Sequence, residues 1–357
     1  MAERFQGSIH VMALYDVCDE INLDELRPLI GGKATTASFK HTTPEYVGFE
    51  RAPVTEPVGP VALETGEQFT GTLQYYDYGV VSVLLRLSCS AEWAEMQQLA
   101  GRWISSNVFD ELTQRLVRQR LQQVGAALRK PYQTWLSEDY YIFHLASVPG
   151  LDATELLEQH SAGISHIVSG ETLELAASEQ TEVMHARMSY YPNDLVVVGW
   201  NAAFVYDTES GAGSTIRLLE YANSQLLQFR HYDELLTREL AEVYLFLGGR
   251  RRLLAGWRMR RAAARLRSVL IEVTSLTERT TNALKFVGDM FSARLYKLSA
   301  IEIGVSEYQA LVHEKLKTAD DLYGFMVEQF HQARGFLLEV VVVIILLIEL
   351  VFLFRGK

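Results

Sequence analysis

Ile9–Val17 reads IHVMALYDV, an apolar-rich run that predicts a β-strand. Polar side chains interrupt it at His10 and Asp16, and one arginine precedes it, so the segment lacks the form of a secretory leader. Working outward, Asn22 is placed to cap a helix over Leu23–Ile30, with Pro28 late in it and Gly31-Gly32 ending it. Residues 33–67, rich in Thr, Pro and Gly, read as loop with an edge strand near Tyr46–Arg51. Thr70–Tyr76 and Gly79–Leu87 read as strands around Asp77-Tyr78. Ser90 is placed to cap a helix carrying Trp93, Met96, Leu99 and Trp103, and a polar helix follows over Phe109–Leu128.

Lys130-Pro131 punctuates the chain, and a similar order of elements begins again. Tyr140–Val148 reads as a strand, and Asp152 with Glu155 forms a capping box. Thr181–Tyr190 alternates, with Met184, Ala186, Met188 and Tyr190 on one face, which predicts a strand. Pro192-Asn193-Asp194 turns into one long apolar strand, Leu195–Tyr206. Thr208–Gly213 reads as a loop, after which Ser214 or Thr215 caps a helix running toward Leu247. The expected fold is an α+β head of two repeated strand-helix-strand-strand-helix units, residues 1–130 and 131–248, each with an antiparallel sheet.

Gly248-Gly249 ends that pattern, and no strand signal remains beyond it. Met259, Ala263, Leu266, Leu270, Val273, Thr277, Thr280, Leu284, Val287 and Phe291 alternate spacings of four and three, a heptad seam. Gly304 fits a helix stop, and Ser306 with Gln309 opens another helix, so residues 249–335 read as a helical hairpin stalk. Residues 336–354, FLLEVVVVIILLIELVFLF, hold seventeen Phe, Leu, Val or Ile among nineteen and span roughly 28 Å as a helix. This predicts one C-terminal transmembrane helix. The seventeen contribute roughly −5 to −10 kcal/mol to insertion, which outweighs Glu339 and Glu349 as intramembrane acids. The expectation is a tail-anchored protein of the bacterial inner (plasma) membrane, bulk cytoplasmic, its acids pairing in a homo-oligomer.

Charge is uneven along the 357 residues: 1–249 hold 16 Lys+Arg against 33 Asp+Glu, and 250–357 hold 17 against 11. Arg250, Arg251, Arg252, Arg258, Arg260, Arg261, Arg265 and Arg267 form a run free of acids, with Trp257 inside it. Phosphate of membrane lipid or of RNA would be drawn to it, and pairing with the acidic head is the rival use. No DNA partner is expected. Cys18 and Cys89 make neither a disulfide framework nor a metal knuckle, and His160 and His166 belong to no ligand motif. Gly163-Ile-Ser165-His166 lacks the second glycine of a nucleophile elbow. No catalytic, cofactor or metal residue is therefore assigned. A hydrolase or nucleotide-dependent enzyme, the alternative, would need a pocket near Asp77, Asp207 or Gly211–Ser214, a paired-carboxylate or phosphate-loop arrangement. An ion or proton pathway would need Glu339 and Glu349.

The runs YYDYGVVSVLL (Tyr75–Leu85), DLVVVGWNAAFVYD (Asp194–Asp207), LLEYANSQLLQFRHYDELL (Leu218–Leu236) and VGDMFSARLY (Val287–Tyr296), with the Glu-containing apolar tail, form a set. That set resembles the "required for meiotic nuclear division" family. The residues carrying the resemblance are Tyr75, Asp77, Tyr78, Gly79, Gly199, Trp200, Asn201, Asp207, Asn223, Gln225, Arg230, Tyr232, Asp233, Gly288, Asp289, Arg294 and Tyr296. It implies a membrane-anchored homo-oligomer, a non-enzymatic scaffold or tether that supports translation, with the ribosome or RNA as partner. No transit peptide is evident, which favours a bacterial member.

Overall fold

The computed structural model describes residues 4–36, 47–49, 51–63, 65–148, 150–171, 173–248, 255–282, 284–286 and 290–355. The chain divides into two compact units, Met1–His231 with Glu278–Tyr308, and Tyr232–Thr277 with Gln309–Lys357.

The first unit is built on β1 (Arg4–Ile21), which lies inside a nine-stranded sheet. β6 (Val80–Glu92) runs antiparallel along one edge of it, from Arg4↔Glu92 to Asp16↔Val80. β7 (Leu128–Ala146) runs antiparallel along the other, with a bulge between Asp16 and Cys18. Beyond β6 lie β5 (Gln68–Tyr75), β4 (Val54–Ala62) and β2 (Thr35–Thr36). Beyond β7 lie β10 (Ala202–Asp207), β9 (Leu195–Val198) and β8 (Arg187–Met188). β10 is parallel to β7 and the other pairings are antiparallel, so the sheet is mixed. A separate two-stranded sheet joins β3 (Val47–Phe49) to β11 (Leu284–Phe286).

Alternation along β1 gives the sheet two different faces. Ile9, Val11, Ala13, Tyr15 and Val17 enter the apolar core with Trp103, Phe109, Leu156 and Ile167. That face is covered by α1 (Leu23–Ile30), α2 (Trp93–Ile104), α3 (Asp110–Val124), α4 (Ala153–Ser169) and α5 (Ala177–His185). Phe69, Trp103, Phe109 and Tyr141 form a chain of ring contacts 5.5–6.3 Å apart through it. The opposite face carries Ser8, His10, Met12, Leu14 and Asp16, all buried. The first part of α6 (Glu209–Gly248) lies on it, joined by hydrogen bonds from Gln228 to Asp16 and between Tyr78 and Ser224.

The second unit is helical. Leu240 and Val243 of α6, Ala263 and Leu266 of α7 (Ala255–Asn282), and Ala319 and Met326 of α9 (Val305–Arg355) form its core. Ala263, Leu266, Val273 and Thr277 of the expected heptad seam are buried. The seam stops at Asn282, because Leu284 enters β11 and a separate helix, α8 (Met290–Glu302), follows. Beyond Gly249 there is thus a strand where none was expected.

Several other expectations are corrected. One mixed sheet takes strands from both halves of the head, so there are not two repeated antiparallel sheets. Leu195–Tyr206 is two strands, because Gly199 N donates to Ala202 O at 2.8 Å and closes a hairpin. Residues 181–185 are helical, since the alternation there is too short to separate a strand from the end of a helix. Glu92, not Ser90, caps α2. The expected transmembrane helix is overturned: among the described residues no helix is long and apolar enough to cross a membrane. The apolar run with described side chains, Leu338–Val351, rises roughly 21 Å, short of the roughly 30 Å of a hydrocarbon core, and Glu339 and Glu349 interrupt it. The tail anchor, the inner-membrane location and the role of those glutamates as intramembrane acids fall with it.

The turn between β5 and β6 depends on one glycine. Gly79 has φ +90°, and a Cβ there would stand 1.7 Å from Cys18 O. Gly79→Ala is expected to lower stability by at least about 2 kcal/mol, from left-handed strain plus the clash with β1 backbone. A urea midpoint unchanged from the parent protein would refute this.

Candidate functional site

Arg217, Glu220, Tyr221, Ser224, Gln228 and His231 recur on α6 at spacings of three and four, with one neighbouring pair, and so share the face turned to the sheet. Opposite them stand Ser8, His10 and Asp16 of β1, Ser82 and Arg86 of β6, Gln74 of β5, and Glu138 and His144 of β7, with all but Arg86 and Glu138 buried. A polar seam therefore runs between helix and sheet where an apolar contact would be the default.

At one end, alternation along β1 puts Asp16 on the side facing α6, next to the point where β7 carries extra residues opposite β1. Its Oδ1 accepts from Gln228 Nε2 at 2.9 Å, and its Oδ2 lies 2.7 Å from His231 Nδ1. Burial pushes the Asp16 pKa up, and His231 and Gln228 oppose that shift. The His231 ring keeps partial access to solvent and stacks on Tyr132, centroids 5.1 Å apart and 14° from parallel. Tyr132 Oη donates to Asp19 at 2.6 Å, and Lys130 pairs with Asp19 at 2.5 Å. Lys130 has φ +48°, so β7 departs from regular geometry twice at this corner. A buried carboxylate behind a reachable imidazole fixes the ring and strengthens it as a proton acceptor.

In the middle, Tyr76 and Tyr78 stack at 5.1 Å, Gln74 Nε2 donates to Tyr76 Oη at 2.6 Å, and Tyr78 Oη meets Ser224 Oγ at 2.6 Å. Glu220 is fully enclosed. Burial raises its pKa to about 7, against the opposing pull of Ser82 and Arg217. Ser82 faces this carboxyl without reaching hydrogen-bond geometry, and Glu220 Oε1 has no hydrogen-bond partner. At the far end, Ser8 Oγ lies 3.0 Å from His10 Nε2 and 3.2 Å from His144 Nδ1, while His144 Nε2 lies 3.1 Å from Asp207 O. Glu209, at the start of α6, pairs with Arg86 at 2.5 Å. Burial, then Arg86 and His144, hold the His10 pKa down to about 3. His10 Nδ1, Arg86 Nε and Ser214 Oγ are also buried without partners, so polar orphans concentrate in this layer.

Asp77 and Asp207 do not meet. Asp77 O accepts from Ile21 N, whereas Asp207 pairs with Ala146, next to the Leu145↔Gly7 pair. They stand at opposite ends of β1, roughly 45 Å apart at about 3.3 Å per residue. Gly211–Ser214 is not a loop but the opening of α6, where Asp207 accepts from Thr208 N at 2.6 Å and Thr208 Oγ1 from Gly211 N at 3.2 Å. Among the described residues no group of three His, Cys, Asp or Glu is placed to hold a metal. Arg250, Arg251 and Arg252 lie outside the described residues, as do the side chains of Arg258 and Arg260. Arg261 is exposed, and Arg265 pairs with Glu239 and Glu242, each at 2.8 Å. Glu339 and Glu349 are exposed on α9.

The residues that carry the resemblance serve mainly structural contacts. Tyr75 Oη donates to Glu56 at 2.6 Å, Asn223 Nδ2 to Leu219 O at 2.9 Å, and Gln225 Nε2 to Tyr221 Oη at 2.8 Å. Tyr296 Oη donates to Gln225, Arg230 pairs with Glu138, and Asp233 pairs with Lys315 at 2.5 Å. Gly199 O accepts from Tyr140 Oη, Asn201 O accepts from Tyr141 N, and Tyr232 is buried. Trp200 and Arg294 are exposed, and Gly288 and Asp289 lie outside the described residues. Sequence reasoning did not single out Asp16, Glu220 or His231 as site residues. The signal available was the polar interruption of the β1 run and the polar stripe on an otherwise buried helix.

The model of a family described as uncharacterized protein MJ0711, N-terminal domain, matches residues 6–212, more than half of the chain. No curated protein and no solved structure matches it.

Two pH effects follow. A carboxyl whose pKa is about 7 folded and about 4.5 unfolded contributes stability that is whole below about pH 4.5 and lost as pH rises through 7. Glu220→Gln should therefore melt several degrees above the parent at pH 8, with the gap closing toward pH 4.5. Equal melting temperatures at pH 8 would refute the assignment. His10 has the opposite sign: its contribution is present above pH 6.5 and lost as pH falls toward 3. His10→Asn should flatten the acid limb of the stability profile between those values, measured by chemical denaturation.

Proposed function

We propose that this chain, which belongs to the family of the uncharacterized MJ0711 N-terminal domain, is a homo-oligomeric, non-enzymatic scaffold. The observation that carries this reading is the end of α9. Every apolar side chain from Leu338 to Val351 is 40–58% exposed, on all sides of the helix. A helix apolar all round is stable in water only when other surfaces cover it, and further copies of the same chain are the simplest cover. The β-sheet unit then serves as the presented head. Its polar seam supports this by fixing the register of α6, the helix whose first part lies in one unit and whose last part lies in the other.

Separation of Asp77 from Asp207 supports a role without catalysis at those acids. The finer resemblance, to the "required for meiotic nuclear division" family, supports a partner in the translation apparatus. Arg265 is engaged by two carboxylates of the helical unit, so RNA contact would fall to other arginines of the run.

Mass photometry of the full chain at micromolar concentration is expected to give a multiple of 40.4 kDa. A chain ending before Leu338 should give a lower multiple. A monomeric full chain would overturn the proposal. Ribosome cosedimentation that weakens steeply with salt is expected of the translation partner, and absence of cosedimentation at low salt would remove that partner.

A further inference from the structure

The sheet ends, among the described residues, at β8, a two-residue strand with one side hydrogen-bonded to β9. Beside this edge the surface is aromatic. Tyr190 and Tyr191 meet edge to face at 4.7 Å, and Tyr190 lies 5.2 Å from Phe291 at the start of α8. At the other end of α8, the Trp200 ring packs on Gly304, close enough that a Cβ there would stand 3.1 Å away. Tyr190, Tyr191, Trp200, Met290 and Ile301 are 52–73% exposed. Met290, Arg294, Lys297 and Ile301 recur at four, three and four, so the exposed side of α8 connects the two aromatic ends.

This surface is held in place. The Asp194 carboxylate accepts from Tyr190 N at 2.7 Å and Tyr191 N at 2.8 Å, and the β9–β10 hairpin presents Trp200. Little ordering cost therefore remains for a partner. Its composition of Tyr, Trp, Met and Arg is that of interface centres. With large side chains at roughly 150–250 Å² each when fully accessible, the five supply about 700 Å². A stable dimer needs about 800 Å² per partner, and the β8 edge adds backbone groups able to extend the sheet.

We propose that this flank is a twofold interface with a second copy of this chain, the two β8 edges side by side and the tyrosines and Trp200 buried against the partner. A single self-complementary patch with an open strand edge is what an isologous contact requires. The excess of acids in residues 1–249 disfavours a nucleic acid as occupant. The inference rests on the homo-oligomer reading and names an interface separate from the end of α9.

The test uses three full-length proteins: the parent, Tyr191→Ser/Trp200→Ser, and Met290→Glu/Ile301→Glu. The replaced side chains are exposed, so far-UV circular dichroism should match the parent in all three. Mass by light scattering at micromolar concentration should fall by half in both variants, or dissociate at least tenfold more readily. A parent oligomer unchanged by either variant overturns this interface and leaves the α9 reading standing. A monomeric parent overturns both. Should the serine variant lose its fold, the glutamate variant alone decides, and an unchanged mass there is the overturning result.

Discussion

Burial of β1 on both faces and both edges constrains the rest of the sheet unit. A strand with Ile9, Val11, Ala13, Tyr15 and Val17 on one side needs an apolar layer there, and five helices provide it. The same strand puts Ser8, His10 and Asp16 on its other side; Ser8 and His10 bond each other within the sheet, but an apolar helix over Asp16 would leave its carboxyl unsatisfied, at about 1–3 kcal/mol or more. α6 carries a polar stripe, and its Gln228 meets Asp16 beside the irregular pairing of β1 with β7. A single-residue slip of β1 would exchange the two sets of side chains and ruin both layers at once. Register is thus specified more strongly here than at the short outer strands.

Partial satisfaction gives the seam its electrostatic character. Burial biases both Glu220 and His10 toward their neutral forms, the carboxyl because ionising it would bury a charge, the imidazole for the same reason with Arg86 and His144 adding to it. Burial raises the Asp16 pKa as well, but there His231 and Gln228 oppose the shift. The seam so separates into an enclosed stretch around Glu220 and His10 and one corner, at Asp16, whose His231 ring reaches solvent.

Much of the sheet was legible from local signals. The Asn22 cap, the Asp152–Glu155 box and the strands around Asp77-Tyr78 all appear as the residues suggest. What was not legible came from partners distant in sequence. Leu195–Tyr206 reads as one strand because the hairpin at Gly199 depends on packing against Val168, where a Cβ would stand 2.4 Å from Cγ1. Two look-alike halves merge into one sheet because β10 finds β7 in parallel, a pairing that no local pattern encodes. The apolar end of α9 was over-read, since hydrophobicity alone does not say what covers a helix. Asp16 and His231 lie far apart in the chain, and only the packing of α6 on the sheet brings them together.

The pairing of β1 has a consequence for biosynthesis. β1 is made before both of its neighbours, β6 and β7, which end at Glu92 and Ala146. At about 5–20 residues per second, a ribosome needs several seconds or more to produce them. During that interval an eighteen-residue strand with an uninterrupted apolar face has neither edge satisfied. The nascent chain is therefore exposed to mispairing along β1, and that strand gains its second partner only when Ala146 has emerged.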